Sequence, residues 1–165
     1  MKIPKTITHE RRLIDINEPP SRFLDECSAL GEKLGPLLIQ LPPSLKFEPA
    51  EVERFLANWR KRTSGATVIE PRHPDWFTPE ASTMLAASKV ARVAADPAKV
   101  PEAARPGGWS GLTYHRLHGS PVMYRSAYEE PVLADLTARL QTESVAAEAW
   151  CMFDNTSSAR RPATP

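Results

Sequence analysis

The sequence predicts an α/β fold built on a parallel sheet, and two observations carry this reading. Strand-like and helix-like segments alternate along the chain, the pattern of consecutive βα units. The strand-like segments are continuous apolar runs, as expected of parallel strands covered by helices. The length of 165 residues, with 41% apolar and 25% charged residues, suits one domain with one core.

The elements follow in order. Residues 1–4, MKIP, read as a strand end, and KTITHERRLID as a polar, basic loop. EPPSRFLDECSALGEKLG sets Phe23, Leu24, Cys27, Leu30 and Leu34 at helical spacing, with Pro19 and Pro20 near its start and Gly35 after its end. PLLIQLPPS is a buried strand over 36–41 that stops at Pro42. EPAEVERFLANWRKRT puts Val52, Phe55, Leu56 and Trp59 on one helical face. GATVIEPRHPDWF gives a strand over 66–70 and then a loop. TPEASTMLAAS is a helix with Thr78 as N-cap and Pro79 at its first position. KVARVAADP is a strand over 90–95 closing at Asp96, and AKVPEAARPGGWS is a loop. GLTYHRLHG is a strand over 111–117. EEPVLADLTARLQTES is a helix with Val132, Leu133, Leu136 and Leu140 on its face. AEAWCMFDNT is a last strand over 148–153, ending at Asp154 and Asn155.

The bulk numbers exclude several functions. A net charge of +1 supplies no field for nucleic acid or an anionic membrane, although KTITHERR and WRKR are locally basic. No segment approaches the roughly 18 apolar residues of a membrane span, and the N-terminal stretch lacks the apolar run of a signal peptide. Cys27 and Cys151 are lone thiols, which points to a reducing cytoplasm and to inert core positions.

Chemistry-bearing side chains collect where the strands end. Gln40, Glu70, Asp96, Arg116 with His118, and Asp154 with Asn155 each follow an apolar run. In a parallel sheet all strand C-termini meet on one face, where α/β folds bind their ligands. A small-molecule pocket is therefore expected there. The pleat puts Tyr114, Arg116 and His118 on one face of their strand, with His115 and Leu117 on the other. Arg116 is assigned to the pocket face, because an unpaired guanidinium under the helices would be costly.

Each candidate has two readings. Glu70, followed by Arg72 and His73, is either a general base or metal ligand, or a carboxylate paired with Arg72 or Arg116. His118 with Arg116 either binds a phosphate or carboxylate group or forms a structural network between strands. Asp154 and Asn155 hold a metal or sugar hydroxyls, or simply make a turn. Asp96 and Gln40 line the pocket or terminate their strands, and Tyr124 and Tyr128 can close over a ligand. No HExxH, CxxC, GxxxxGK or GxSxG spacing occurs, so a divalent metal stays open and a phosphate loop or serine elbow is absent.

The ordered set KIPKTITHERRL, LGPLLIQLPPS, VIEPRHPDWF, RVAADP, YHRLHGSPVMYRSAY and WCMFDN resembles the domain of unknown function 72 family (DUF 72), also called YecE-like. The resemblance runs over about residues 1–155. It implies a TIM-type (β/α) barrel and assigns no reaction. Set against an eight-strand barrel of about 250 residues, it implies an incomplete barrel. About six of eight βα units are expected over 1–155, lacking the first two strands and the last helix, with 156–165 a disordered or divergent tail. The expected site is then catalytic Glu70 and His118, with Arg116, Tyr114, Gln40, His73, Asp96, Tyr124, Asp154 and Asn155 as substrate-binding residues. They would perform hydrolase- or isomerase-like chemistry on a sugar-like or anionic substrate. The alternative is a non-catalytic ligand- or partner-binding module, or an inactive truncated copy.

Overall fold

Both faces of the first strands are sealed from water, and this fixes the rest of the architecture. The structure, a computed structural model, describes residues 1–14 and 19–155. The expected divergent tail, 156–165, lies outside the described residues. Strand β1 (Leu37–Gln40) and β2 (Thr67–Glu70) are buried at every position and pair in parallel, with Gln40 opposite Glu70. A one-residue slip would exchange the core and pocket faces of a strand, so burial on both sides holds the register. Each fully buried Leu or Ile here contributes about 1.5–3 kcal/mol relative to exposure.

The expected strand at 1–4 is a single parallel bridge, Lys2 to Leu38. The expected strand at 90–95 is two strands. β3 (Val90–Arg92) pairs with β2, and β4 (Ala94–Asp96) pairs with β6 (Leu112–Leu117). The break falls at Val93, whose N–H still reaches Ile69 O at 2.9 Å. One apolar run thus serves two neighbours, and the sheet divides into β1-β2-β3-β5, with β5 over Gly107–Gly108, and β4-β6-β7, with β7 over Glu148–Phe153. β7 (Glu148–Phe153) pairs in parallel with β6 along its whole length. Apart from β5, the pairings among the described residues are parallel and form no closed barrel.

The RPGGW segment, expected as loop, contains β5 (Gly107–Gly108), antiparallel to β3. Only glycine suits position 108. Its φ is +65°, and a Cβ there would lie 2.6 Å from Val90 O.

Among the described residues four α-helices cover the sheets. In α2 (Pro49–Arg62) the buried residues are Val52, Phe55, Leu56 and Trp59, as the spacing predicts. In α3 (Pro79–Ala87) Thr78 Oγ1 accepts from Ala81 N–H at 3.2 Å, the expected cap. α1 (Pro19–Ser28) is shorter than the apolar spacing suggests. Gly31, at φ +52°, lies outside the helical region, and Leu30 is left exposed. In α4 (Glu130–Glu143) only Leu136 is fully buried; Val132, expected on the packed face, is exposed. Among the described residues no helix is long and apolar enough to cross a membrane.

Two apolar clusters result. The larger one, with Ile39, Phe55, Leu56, Trp59, Ile69 and Leu85, lies between strands and helices. The smaller one, Leu38, Val68, Ala91, Val93, Leu112 and Tyr114, fills the opposite face. The pleat of β6 sorts as expected. Tyr114 joins the smaller cluster, while His115 Nε2 lies 2.7 Å from Glu143 Oε2 on α4.

That contact ties a buried imidazole to a helix with little apolar anchorage. Glu143→Ala removes its partner and is expected to cost about 1–3 kcal/mol. The melting temperature should fall by roughly 2–12 °C, since each kcal/mol moves it about 2–4 °C at this size. Arg139→Ala, which breaks an exposed i,i+4 pair with Asp135 at 3.2 Å, should change it by less than about 0.5 kcal/mol. Thermal denaturation followed by circular dichroism compares the two.

Candidate functional site

The C-terminal ends of β1, β2, β6 and β7 converge on one cluster. Glu70 closes β2 and its side chain is 3% exposed. Parallel pairing sets Gln40 beside it, and Gln40 Nε2 donates to both carboxylate oxygens at 3.2 and 3.3 Å. Arg116, near the end of β6, reaches both sides. Its Nη1 donates to Glu70 Oε2 and its Nη2 to Asp154 Oδ2 at 2.6 Å. His118, two residues on and therefore on the same pleat face, lies between the same two acids. Its Nε2 is 3.4 Å from Glu70 Oε1 and its Nδ1 is 3.3 Å from Asp154 Oδ2. Acids and bases alternate around a closed ring: Glu70, Arg116, Asp154, His118. Arg72 adds Nε and Nη2 to Glu70 Oε1 at 3.4 and 3.3 Å.

Burial alone would push the Glu70 carboxyl up. The contacts to His118, Arg116 and Arg72 outweigh it and hold the group down at about 2. Glu70 is thus a fixed negative charge and a weak base. His118 is different. It is 2% exposed, and neither ring nitrogen makes a hydrogen bond: both sit at ion-pair distance from a carboxylate without hydrogen-bond alignment.

A loop over residues 119–128 roofs this histidine. Gly119 turns it at φ +91° and Tyr124 sits at φ +66°, a conformation that costs a non-glycine residue about 1 kcal/mol or more. The Tyr124 N–H donates to His118 O, and its ring meets the imidazole edge-on at 5.6 Å. Tyr128 anchors the far end. Its hydroxyl accepts from Gly119 N–H at 2.9 Å and donates to Asp96 Oδ1 at 3.1 Å. Burial first, then the Asp96 carboxylate, pushes this hydroxyl up to about 12. Asn155 Nδ2 holds the same loop through Ser126 O at 3.0 Å.

The expected residues therefore separate. Gln40, Glu70, Arg116, His118 and Asp154 share the ring and its first contacts. Tyr114 lines a cavity of about 230 Å3 with Lys2, Arg116, Met152 and Asp154. Asp96, Tyr124 and Asn155 shape the roof. His73 is not brought to the cluster; its Nδ1 accepts from Asp75 N–H at 3.3 Å and caps the short turn Pro74–Phe77. Arg72 and Lys99 are site neighbours that the sequence does not single out. Both follow strand ends by a few residues, the only signal in the sequence that marks them. They line a second cavity of about 130 Å3 with Glu70, Pro97 and His118.

The ring is not arranged as a metal site. The two nitrogens of His118 face opposite acids, so one ion cannot take both, and Arg116 occupies the oxygens between them. Among the described residues no group of His, Cys, Asp and Glu forms a metal-binding cluster. Cys27 and Cys151 are free, and burial raises both thiols above their ordinary value, which lowers their reactivity.

Comparison with solved structures finds the same fold in proteins of low identity. A DUF72 family protein of Thermotoga maritima is 24% identical with a TM-score of 0.79, over 95% of this chain and 66% of that one. Two structures of a DUF72 family protein of Enterococcus faecalis give 19% and 22% identity and TM-scores of 0.76 and 0.75. They cover 95% and 94% of this chain and 67% and 70% of theirs. The chain thus spans about two thirds of the relatives it matches. The curated proteins give no match. Residues 1–164 match the family described as protein of unknown function DUF72. The chain belongs to the DUF72 family.

Proposed function

We propose that the chain binds a small molecule at the C-terminal face of its strands, with His118 as the acid–base group of the site. The observation that carries this is a buried imidazole in a cavity wall, whose two nitrogens each face a carboxylate without hydrogen-bond alignment. Buried polar groups are normally hydrogen-bonded, and a catalytic role or a bound molecule is among the explanations for an exception. Histidine also titrates nearest neutrality of the side chains suited to proton transfer.

Glu70 then serves as a positioning residue rather than a base. Its low value suits an anion that fixes Arg116 and faces His118. Lys2, Tyr114 and Asp154 would hold the body of a sugar-like or anionic substrate in the 230 Å3 cavity, for hydrolase- or isomerase-like chemistry. The parallel strands support reading residues 1–155 as one domain, an open arc of about six units of a TIM-type barrel, since barrels bind ligands at this face. The two free thiols support a cytoplasmic setting.

One observation favours a second reading, a binding module without turnover. Both prongs of Arg116 are taken by protein carboxylates, as in a structural network.

A metabolite library screened by thermal shift, followed by NMR of each stabilising compound with enzyme, separates the readings. Turnover that falls about 100-fold or more in His118→Gln, with binding retained, supports the acid–base role. Binding without turnover selects the module. Turnover unchanged in His118→Gln removes His118 from the chemistry.

A further inference from the structure

We infer that the smaller cavity beside His118 is an oxyanion subsite, which takes the phosphate or carboxylate group of the ligand. This rests on the small-molecule reading above and names the ligand's charged end. The sequence suggests Arg116 as the anion clamp, but its guanidinium is already occupied by Glu70 and Asp154. The cations with capacity left are elsewhere. Arg72 contacts Glu70 through Nε and Nη2 only, at the long end of hydrogen bonding, and Lys99 is exposed.

Arg72 and Lys99 face one cavity of about 130 Å3, the size of a single charged group rather than a whole metabolite. Glu70 also lines it and keeps its negative charge, which its bonds to Gln40, Arg72 and Arg116 offset. His118 forms part of the wall, with its Nε2 3.4 Å from Glu70 Oε1. Other basic side chains lie within electrostatic range of Arg72. Lys2 is held below its ordinary range by burial, then by Arg116, Lys5 and Arg72, with Glu70 alone opposing. His9 is lowered by burial, then by Lys5, Lys2 and Arg72. A guanidinium and an ammonium at a half-enclosed site are the usual donors for such oxyanions. The 230 Å3 cavity meets the same ring at Arg116 and Asp154.

The test uses inorganic phosphate, sulfate and acetate against the intact chain, with sodium chloride matched for ionic strength, read by calorimetry and thermal shift. Phosphate is expected to bind and raise the melting temperature where chloride does not. Lys99→Gln and Arg72→Gln are each expected to weaken it about tenfold or more. Because Lys99 is exposed, its variant should fold like the parent, which guards against a trivial loss in Arg72→Gln. Acetate binding instead of phosphate would assign the subsite to carboxylates. Equal phosphate affinity in both variants, or no effect beyond chloride, overturns the subsite. Phosphate bound through Arg72 and Lys99 while no metabolite binds would retain the subsite and reject the acid–base reading. Uncharged metabolites that bind while phosphate does not would do the reverse. A short single-stranded oligonucleotide that binds far more tightly than phosphate, with steep salt dependence, would overturn the small-molecule assignment.

Discussion

Arg116→Ala is expected to cost about 3–5 kcal/mol, the penalty for removing one partner of a buried ion pair. The effect falls mainly on Glu70. Its side chain is 3% exposed, so the carboxylate cannot turn to water once Arg116 is gone. Gln40 and the long contact from Arg72 would be left to hold it, with His118 nearby. The melting temperature should fall by roughly 6–20 °C. Asp154, with a side chain 44% exposed, is the cheaper partner, and Asp154→Asn should cost under about 1 kcal/mol. Combining Arg116→Met with Glu70→Gln removes both charges and should recover most of the loss, because a buried pair can often be replaced by neutral groups. Urea denaturation of the three variants decides the matter. If Arg116→Ala costs no more than Asp154→Asn, the ring does not stabilise the fold. If the double variant stays as weak as the single one, packing of Arg116 rather than its charge is responsible.

This asymmetry also explains how much of the site the sequence reveals. Gln40, Glu70, Arg116, His118 and Asp154 are legible because a parallel sheet gathers strand ends and the pleat puts residues two apart on one face. That logic ends with the strand. His73 is three residues past Glu70, yet the Pro71–Pro74 segment turns it into a cap. Arg72 and Lys99 lie on loops without periodicity. The roof over His118 depends on Gly119 and Tyr124 at positive φ and on Tyr128 reaching Asp96. None of these carries a repeating signal. The same limit applies to the fold. β1, β2 and β7 follow from apolar runs, but the change of partner at Val93 is hidden inside one such run. β5 is two glycines whose pairing is purely backbone. The parallel pairing was readable; the two-sheet division was not.

Acid is expected to remove the contribution of Glu70. Its ordinary value of 4.5 falls to about 2 in the fold, because the facing His118, Arg116 and Arg72 outweigh burial. A depressed carboxyl stabilises the fold above its unfolded value and loses that contribution as the pH drops toward the folded one. The window therefore runs from about pH 4.5 down to about 2, and the shift corresponds to about 3 kcal/mol. Glu70→Gln should be less stable than the parent at pH 7, and the gap should close through that window. Stability curves that stay parallel from pH 7 to 2 would show that Glu70 is not held as an anion by its neighbours. The same property separates structure from chemistry. A group titrating near 2 stays charged through the neutral range, so any bell-shaped rate profile there must come from other residues. If the profile's limbs remain in Glu70→Gln while its amplitude falls, Glu70 acts by placing Arg116 and facing His118. If an acidic limb near neutrality disappears with the carboxylate, Glu70 is itself the base and its value in the ligand complex lies far above 2.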